Sequence, residues 1–241
     1  MQSFYDYDVI IFDCDGVILD SNNLKIKAME AALLKSNFPK NKIKKSIKFF
    51  NDNFGMSRFY HVDYFVKSIE ENLLSKEHLK EKILENYSLA CVSLYKTSNF
   101  TEGFVEFVDS LNAKLYVASG SEQEELRKVF KDKRIDSKFH NILGSPASKS
   151  QNVSRILSEN NNKKNIVLIG DAMSDFEAAT KNNIDFIFYS PYSNIKDKMI
   201  RLSKSKKFTV INSYAELLNG FKKNKIFNND TSKVCIFTSA W

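Results

Sequence analysis

Asp13 and Asp15 sit one residue apart at the end of an apolar run, Val9-Ile10-Ile11-Phe12-Asp13-Cys14-Asp15-Gly16-Val17. Such a run reads as a buried parallel strand with chemistry at its tip. Alternation of side chains lets Asp13 and Asp15 face one pocket while Cys14 faces away. Gly16 lets the chain turn at once. Two close carboxylates repel each other unless a cation or a shared proton relieves them, so a divalent metal, magnesium, is the natural partner. Taken alone, the segment equally describes a solvated turn after a strand. Three further segments bear on the choice.

Leu115-Tyr116-Val117-Ala118 runs into Ser119-Gly120-Ser121 and then Glu122-Gln123-Glu124-Glu125-Leu126, which predicts a strand, a small-residue turn and a helix start. Free amides and the dipole at a helix start suit phosphate, with the Ser119 hydroxyl and the Gly120 backbone beside them; a plain loop or cap is the other reading. Lys149 follows Gly144-Ser145-Pro146-Ala147-Ser148 and opens a helical pattern. There it could neutralise a carboxylate nucleophile and a phosphoryl group, or simply be a solvated helix lysine. The run Ile166-Val167-Leu168-Ile169-Gly170 ends in Asp171, placed to complete a metal site. Asp175 is placed to hold metal-bound water, to orient Lys149, or to cap a helix.

These residues must be held by alternating strands and helices. Strands are expected at Val9–Phe12, Leu115–Ala118, Asn141–Leu143, Ile166–Ile169, Phe186–Tyr189 and Phe208–Ile211, in one doubly wound α/β sheet that binds ligands beyond its strands' carboxyl ends. Between Ser21 and about Thr97 the apolar spacing is helical, with helices expected at Leu24–Ser36, Lys42–Phe50, Ser57–Asn72 and Lys76–Tyr95, and with Ser75 and Asp20 or Ser21 as amino-terminal caps. The division is therefore a core of residues 1–20 and 98–224 and an all-helical insert of residues 21–97 that leaves just after the catalytic strand, as a lid would. Residues 225–241 form a tail to which the sequence assigns no role.

Bulk properties exclude several classes. A chain of 241 residues, 43% hydrophobic, can bury a sizeable core. Cys14, Cys91 and Cys235 have unrelated spacings, so neither a disulfide framework nor a zinc site is expected. The start has no secretory pattern and no run reaches membrane-spanning length, which predicts a cytoplasmic protein without membrane contact. The net charge of +7 comes from lysines scattered among Asn, Ser and Glu. That pattern fits attraction of small anions rather than binding of nucleic acid. Oligomeric state is not legible.

The four segments, in this order and spacing, resemble the haloacid dehalogenase-like phosphohydrolases over nearly the whole chain to about Phe221. The resemblance implies Asp13 as nucleophile, Asp15 as general acid and base, Ser119 as phosphate-binding hydroxyl, Lys149 as charge neutraliser, and Asp13, the Asp15 backbone carbonyl and Asp171 as magnesium ligands. The lid's place is similar to that of the helical caps in the phosphoglycolate phosphatase and beta-phosphoglucomutase branch. Gly55-Met56-Ser57-Arg58 resembles the mutases' Gly-x-Ser-Arg specificity loop, making Ser57, Arg58 and, three residues on, His61 candidate lid contacts to substrate. Phe54 to Phe59, Val117 to Ser121 and Gly144-Ser145-Pro146 also resemble family members associated with bacterial surface-glycan synthesis. The expected reaction is hydrolysis of a small sugar, polyol or amino-alcohol phosphate through an aspartyl-phosphate; the alternatives are a sugar phosphomutase and a non-catalytic binding protein.

Overall fold

Val9, Ile10, Ile11 and Phe12 are fully buried, which requires a strand covered on both faces. In the computed structural model, which describes residues 2–70, 72–218, 222–224 and 236–238, a two-residue strand β1 (Gln2–Ser3) precedes that strand, β2 (Val9–Phe12). Four helices follow: α1 (Asn22–Lys35), α2 (Lys40–Asp52), α3 (Arg58–Lys67) and α4 (Leu73–Thr97). The chain then returns through α5 (Phe104–Asp109), β3 (Lys114–Glu122), α6 (Gln123–Asp132), β4 (Asn141–Ser145) and α7 (Lys149–Glu159). It continues through β5 (Ile166–Gly170), α8 (Met173–Lys181), β6 (Asp185–Tyr189), α9 (Lys196–Lys206), β7 (Thr209–Ile211) and α10 (Ala215–Leu218).

Six strands pair in parallel in the order β4-β3-β2-β5-β6-β7. Period-two alternation sorts their side chains. Ile10, Phe12, Val117 and Ile169 pack on one face with Phe104, Phe107 and Phe130, while Val9, Ile11, Ala118 and Leu168 pack on the other with Val153, Ile156 and Ala178. The order reverses at β2, because its successor β3 lies on one side and β5 on the other. The carboxyl ends of β2 and β5 therefore flank a switch-point crevice. Phe12 is in register with Ile169, and the Asp13 amide donates to the Ile169 carbonyl at 3.0 Å, so Asp13 and Asp171 leave the sheet side by side.

The lid's described residues form four helices and the turns between them, without a strand. In α1, Ala28, Met29, Ala32 and Leu33 form the buried stripe; in α4, Ile83, Tyr87, Cys91, Leu94 and Tyr95 recur at helical spacing. The expected helices are present with shifted ends. Ser57 lies outside α3 as its cap, accepting from the Tyr60 amide at 3.2 Å, and α3 ends at Lys67 rather than Asn72. Asn72, not Ser75, caps α4: its side chain accepts from the Ser75 amide at 2.8 Å. Ser21 rather than Asp20 is the amino-terminal cap residue of α1, yet its hydroxyl is used elsewhere. The short α5 has no counterpart among the expected elements, although Phe104, Phe107 and Val108 carry its buried face.

A second, antiparallel sheet joins β1 to β8 (Lys222–Asn224) and β9 (Ile236–Thr238). Tail residues 225–235 and 239–241 lie outside the described residues. Among the described residues no helix is long and apolar enough to cross a membrane.

Candidate active site

Asp13 follows β2, Asp171 follows β5, and Asp175 lies in the first turn of α8; a carboxylate oxygen from each lies within 4.8 Å of the others, and all three residues are buried. Lys149, the first residue of α7, lies among them with its Nζ 3.0 Å from Asp13 Oδ1 and in an ion pair with Asp175 Oδ1. Its helix start is fixed by a capping box between Ser148 and Gln151. Asp175 also accepts from the Ala172 amide at 2.9 Å, so it both ties down the β5–α8 turn and orients the lysine.

One ammonium cannot offset three buried carboxylates. Burial, followed by repulsion from Asp175 and Asp15, pushes the Asp13 carboxyl up to about 7 against the pull of Lys149. Burial and the Asp13 and Asp175 charges push Asp171 up as well. Burial opposes the charge on Lys149, but Asp13 and Asp175 hold its pKa above the ordinary lysine value. Asp171 Oδ2 accepts from Asn22 Nδ2 at 2.6 Å, whereas its buried Oδ1 has no hydrogen-bond partner. An all-oxygen cluster with surplus negative charge and an unpartnered oxygen fits a hard divalent cation. Gly16 makes room for the Asp171 carboxylate: its φ is +78°, and a Cβ there would lie 2.8 Å from Asp171 Cγ.

Ser119 and Gly120 line the same pocket as Asp13, but the expected turn and helix-end cradle are absent. β3 runs on through Glu122 with a register irregularity against β4 between Ala118 and Glu122. The Glu122 carboxylate caps α6, accepting from the Glu125 amide at 2.8 Å, and Glu124 and Glu125 add negative charge to the first turn. That helix start is already occupied by its own carboxylates. The bulged strand itself carries Ser119 to the pocket instead.

Asp15 also lines the pocket, but its side chain stands apart from the acidic trio. Oδ1 accepts from Ser21 Oγ at 2.6 Å and Tyr95 Oη at 3.0 Å; Oδ2 accepts from Lys25 Nζ at 2.6 Å and Ser121 Oγ at 2.8 Å. Burial raises the Asp15 carboxyl, but the Lys25 charge and the hydrogen bonds of Lys25, Ser21 and Ser121 outweigh it and hold the group below its ordinary value. Both Asp15 carboxylate oxygens are thus engaged away from the acidic trio. Lys25, Asn22, Tyr95 and Ser121 were not foreseen as site residues. The available signal was helical spacing: Lys25 lies four residues after Ser21, hence on the same face.

Over the pocket, the lid supplies Phe50, Phe54, Met56, Arg58, His61 and Tyr87. Arg58 is almost fully buried and already engaged. Its Nη1 and Nη2 donate to the two Glu125 carboxylate oxygens at 2.7 and 2.5 Å, Nη1 also meets Ser88 Oγ at 2.7 Å, and the guanidinium lies 5.0 Å from the Tyr87 ring centre. Its Nε has no partner. His61 packs against Phe50 with ring centres 4.5 Å apart; burial and then the nearby Lys25 charge push its pKa down to about 3, so it is neutral, and its Nδ1 is unpartnered. Of the lid candidates, Arg58 and His61 reach the pocket, while Ser57 serves as a helix cap. The cavity amounts to about 20 Å³, room for about one water.

The family model of the haloacid dehalogenase-like hydrolases matches residues 10–189, a span that includes every carboxylate above. Similar solved structures include a hydrolase from Pseudomonas syringae (20% identity, TM-score 0.70) and a predicted phosphoglycolate phosphatase from Haemophilus somnus (18%, 0.69). A predicted phosphatase from Clostridium acetobutylicum is similar at 19% identity and a TM-score of 0.67. In each case the match covers 88% of this chain and 96% of the other. No curated protein matches the chain.

Proposed function

This chain belongs to the haloacid dehalogenase-like hydrolases, and we propose that it is a magnesium-dependent phosphatase of small phosphomonoesters working through an aspartyl-phosphate. The observation that carries this reading is the Asp13 carboxylate at the pocket floor, 3.0 Å from the Lys149 ammonium, with Ser119 beside it. Asp13 attacks phosphorus in line; the bond from phosphorus to the ester oxygen breaks, and Asp15, entering this step protonated, gives that oxygen a proton and becomes the carboxylate that Lys25, Ser21 and Ser121 stabilise. Water then attacks the aspartyl-phosphate, Asp15 takes its proton, and the Asp13 carboxylate and inorganic phosphate are released. Ser119 and the Gly120 backbone hold the phosphoryl oxygens while Lys149 offsets the repulsion between carboxylate and phosphate dianion. Asp13, Asp171 and the Asp15 carbonyl would hold magnesium, which supplies further neutralisation of phosphoryl charge.

The space of about 20 Å³ left between lid and core is too narrow for a phosphomonoester, so the lid lifts for entry. Lid polar groups then select the rest of the substrate. Arg58 and neutral His61, among the Phe50, Phe54 and Tyr87 rings, favour a short hydroxylated leaving group such as a sugar, polyol or amino-alcohol. The test is phosphate release from a panel of such esters and from p-nitrophenyl phosphate with magnesium, repeated with Asp13→Asn and Arg58→Ala. Asp13→Asn should abolish turnover of every ester, and Arg58→Ala should harm the best substrate more than p-nitrophenyl phosphate. A folded wild-type protein without turnover, or an active Asp13→Asn variant, overturns the assignment.

A further inference from the structure

The site holds two buried lysines, and they serve different carboxylates. Lys149, on the core, pairs with Asp13; Lys25, on lid helix α1, pairs with Asp15 at 2.6 Å and donates to Ser121 Oγ as well. The Lys25 side chain is only 8% exposed and lines the pocket. A lysine is buried this deeply only when its charge is matched, and its sole ion-pair partner among the described residues is Asp15.

The donors around Asp15 come from both halves of the molecule. Ser121 lies on core strand β3. Ser21 stands where the chain enters α1, Lys25 follows one turn later, and Tyr95 lies in the last turn of α4, where the lid returns to the core. Both carboxylate oxygens of Asp15 are thus fixed partly by lid residues, and a lifted lid that carried Lys25 away would leave the carboxylate free to rotate.

We infer that Lys25 is a positioning residue for Asp15, aiming its carboxylate at the ester oxygen when the lid is shut. This rests on the acid and base role proposed for Asp15. A general acid contributes about 10²- to 10⁴-fold to a step whose leaving group needs a proton. Misplacing a reacting group by about 1 Å costs on the order of 100-fold. Protonation matters for an alkoxide and little for p-nitrophenolate, so leaving-group dependence separates aim from general damage.

The experiment measures kcat and KM of wild type, Lys25→Met, Lys25→Arg and Asp15→Asn on glycerol 3-phosphate and p-nitrophenyl phosphate, with thermal unfolding as the folding control. For Lys25→Met, kcat/KM, which reports aspartyl-phosphate formation and not its hydrolysis, should fall roughly 100-fold on glycerol 3-phosphate and less than about tenfold on p-nitrophenyl phosphate. Lys25→Arg should recover part of the loss. If Lys25→Met does not fold, Lys25→Gln takes its place and must show the same split in smaller measure. Equal losses of kcat/KM on both esters, or wild-type kcat/KM on glycerol 3-phosphate, overturn the inference. Asp15→Asn distinguishes the two levels: full activity in that variant removes the acid and base role itself. A large loss in Asp15→Asn with no split in Lys25→Met removes only the positioning role. Absence of wild-type turnover on both esters sinks both.

Discussion

Glu125→Gln tests how the shut lid is held. Glu125 belongs to core helix α6 and Arg58 to lid helix α3, and their side chains are 16% and 4% exposed. Replacing the carboxylate by an amide keeps the volume but leaves the guanidinium buried without a counter-charge, a change that costs about 3–5 kcal/mol in a closed interior. A chain of this size loses about 2–4 °C of Tm per kcal/mol, so the full penalty corresponds to a fall of roughly 6–20 °C. The lid offers an escape: lifting α3 returns Arg58 to water, and the loss in global stability is then capped at the free energy of opening. Either way the cost appears, as a lower Tm in differential scanning calorimetry or as faster amide exchange through residues 55–61. Arg58→Met with Glu125→Gln should cost less than the sum of the single variants, because the double variant strands no charge. A coupling energy under about 0.5 kcal/mol, with exchange unchanged, would refute the latch.

Asp171→Asn should raise the Tm of the metal-free protein at pH 7.5, because it relieves the repulsion that pushes Asp13 and Asp171 up, and should abolish any magnesium-induced rise in Tm; a lower metal-free Tm speaks against the cation site. His61 is held neutral, with a folded pKa of about 3 below the unfolded 6.5. Its contribution to stability is present above pH 6.5 and declines toward pH 3 by about 1.4 kcal/mol per pH unit; urea titrations of wild type and His61→Gln should differ by that slope, and parallel curves would contradict it. Gly120→Ala places a Cβ 2.9 Å from the Met56 carbonyl oxygen and closer still to that of Gly55, propping the lid loop. Overpacking of about 1–3 kcal/mol should lower kcat/KM by roughly 5- to 150-fold while Tm changes little, and wild-type kcat/KM would show that the loop need not seat on Gly120.

Buried parallel strands announce themselves by short apolar runs, and residues just past their ends share one edge of the sheet by topology alone. For that reason Asp13, Asp15, Ser119, Lys149 and Asp171 could be assigned to one pocket from the sequence. The insertion of helices after β2 was legible on the same footing, since apolar spacing changes period between Ser21 and Thr97. Helix ends were less so, because Asn72 and Ser75, or Asp20 and Ser21, are all competent caps and only the backbone path chooses. The continuation of β3 through Ser119-Gly120-Ser121 was hidden because a small-residue bulge and a small-residue turn have the same composition. Lys25 was indistinguishable from the surface cations of a lysine-rich chain, whereas the Gly-x-Ser-Arg resemblance singled out Arg58 but not its burial against Glu125. A charge becomes a site residue by losing water and gaining a partner, and here those partners, Asp15 and Glu125, lie 10 and 67 residues away. The sequence thus determined which carboxylates and which core lysine meet at the sheet edge, whereas the docking of lid on core decided which further cations are buried there, because desolvation and pairing across that interface exist only once the two halves close.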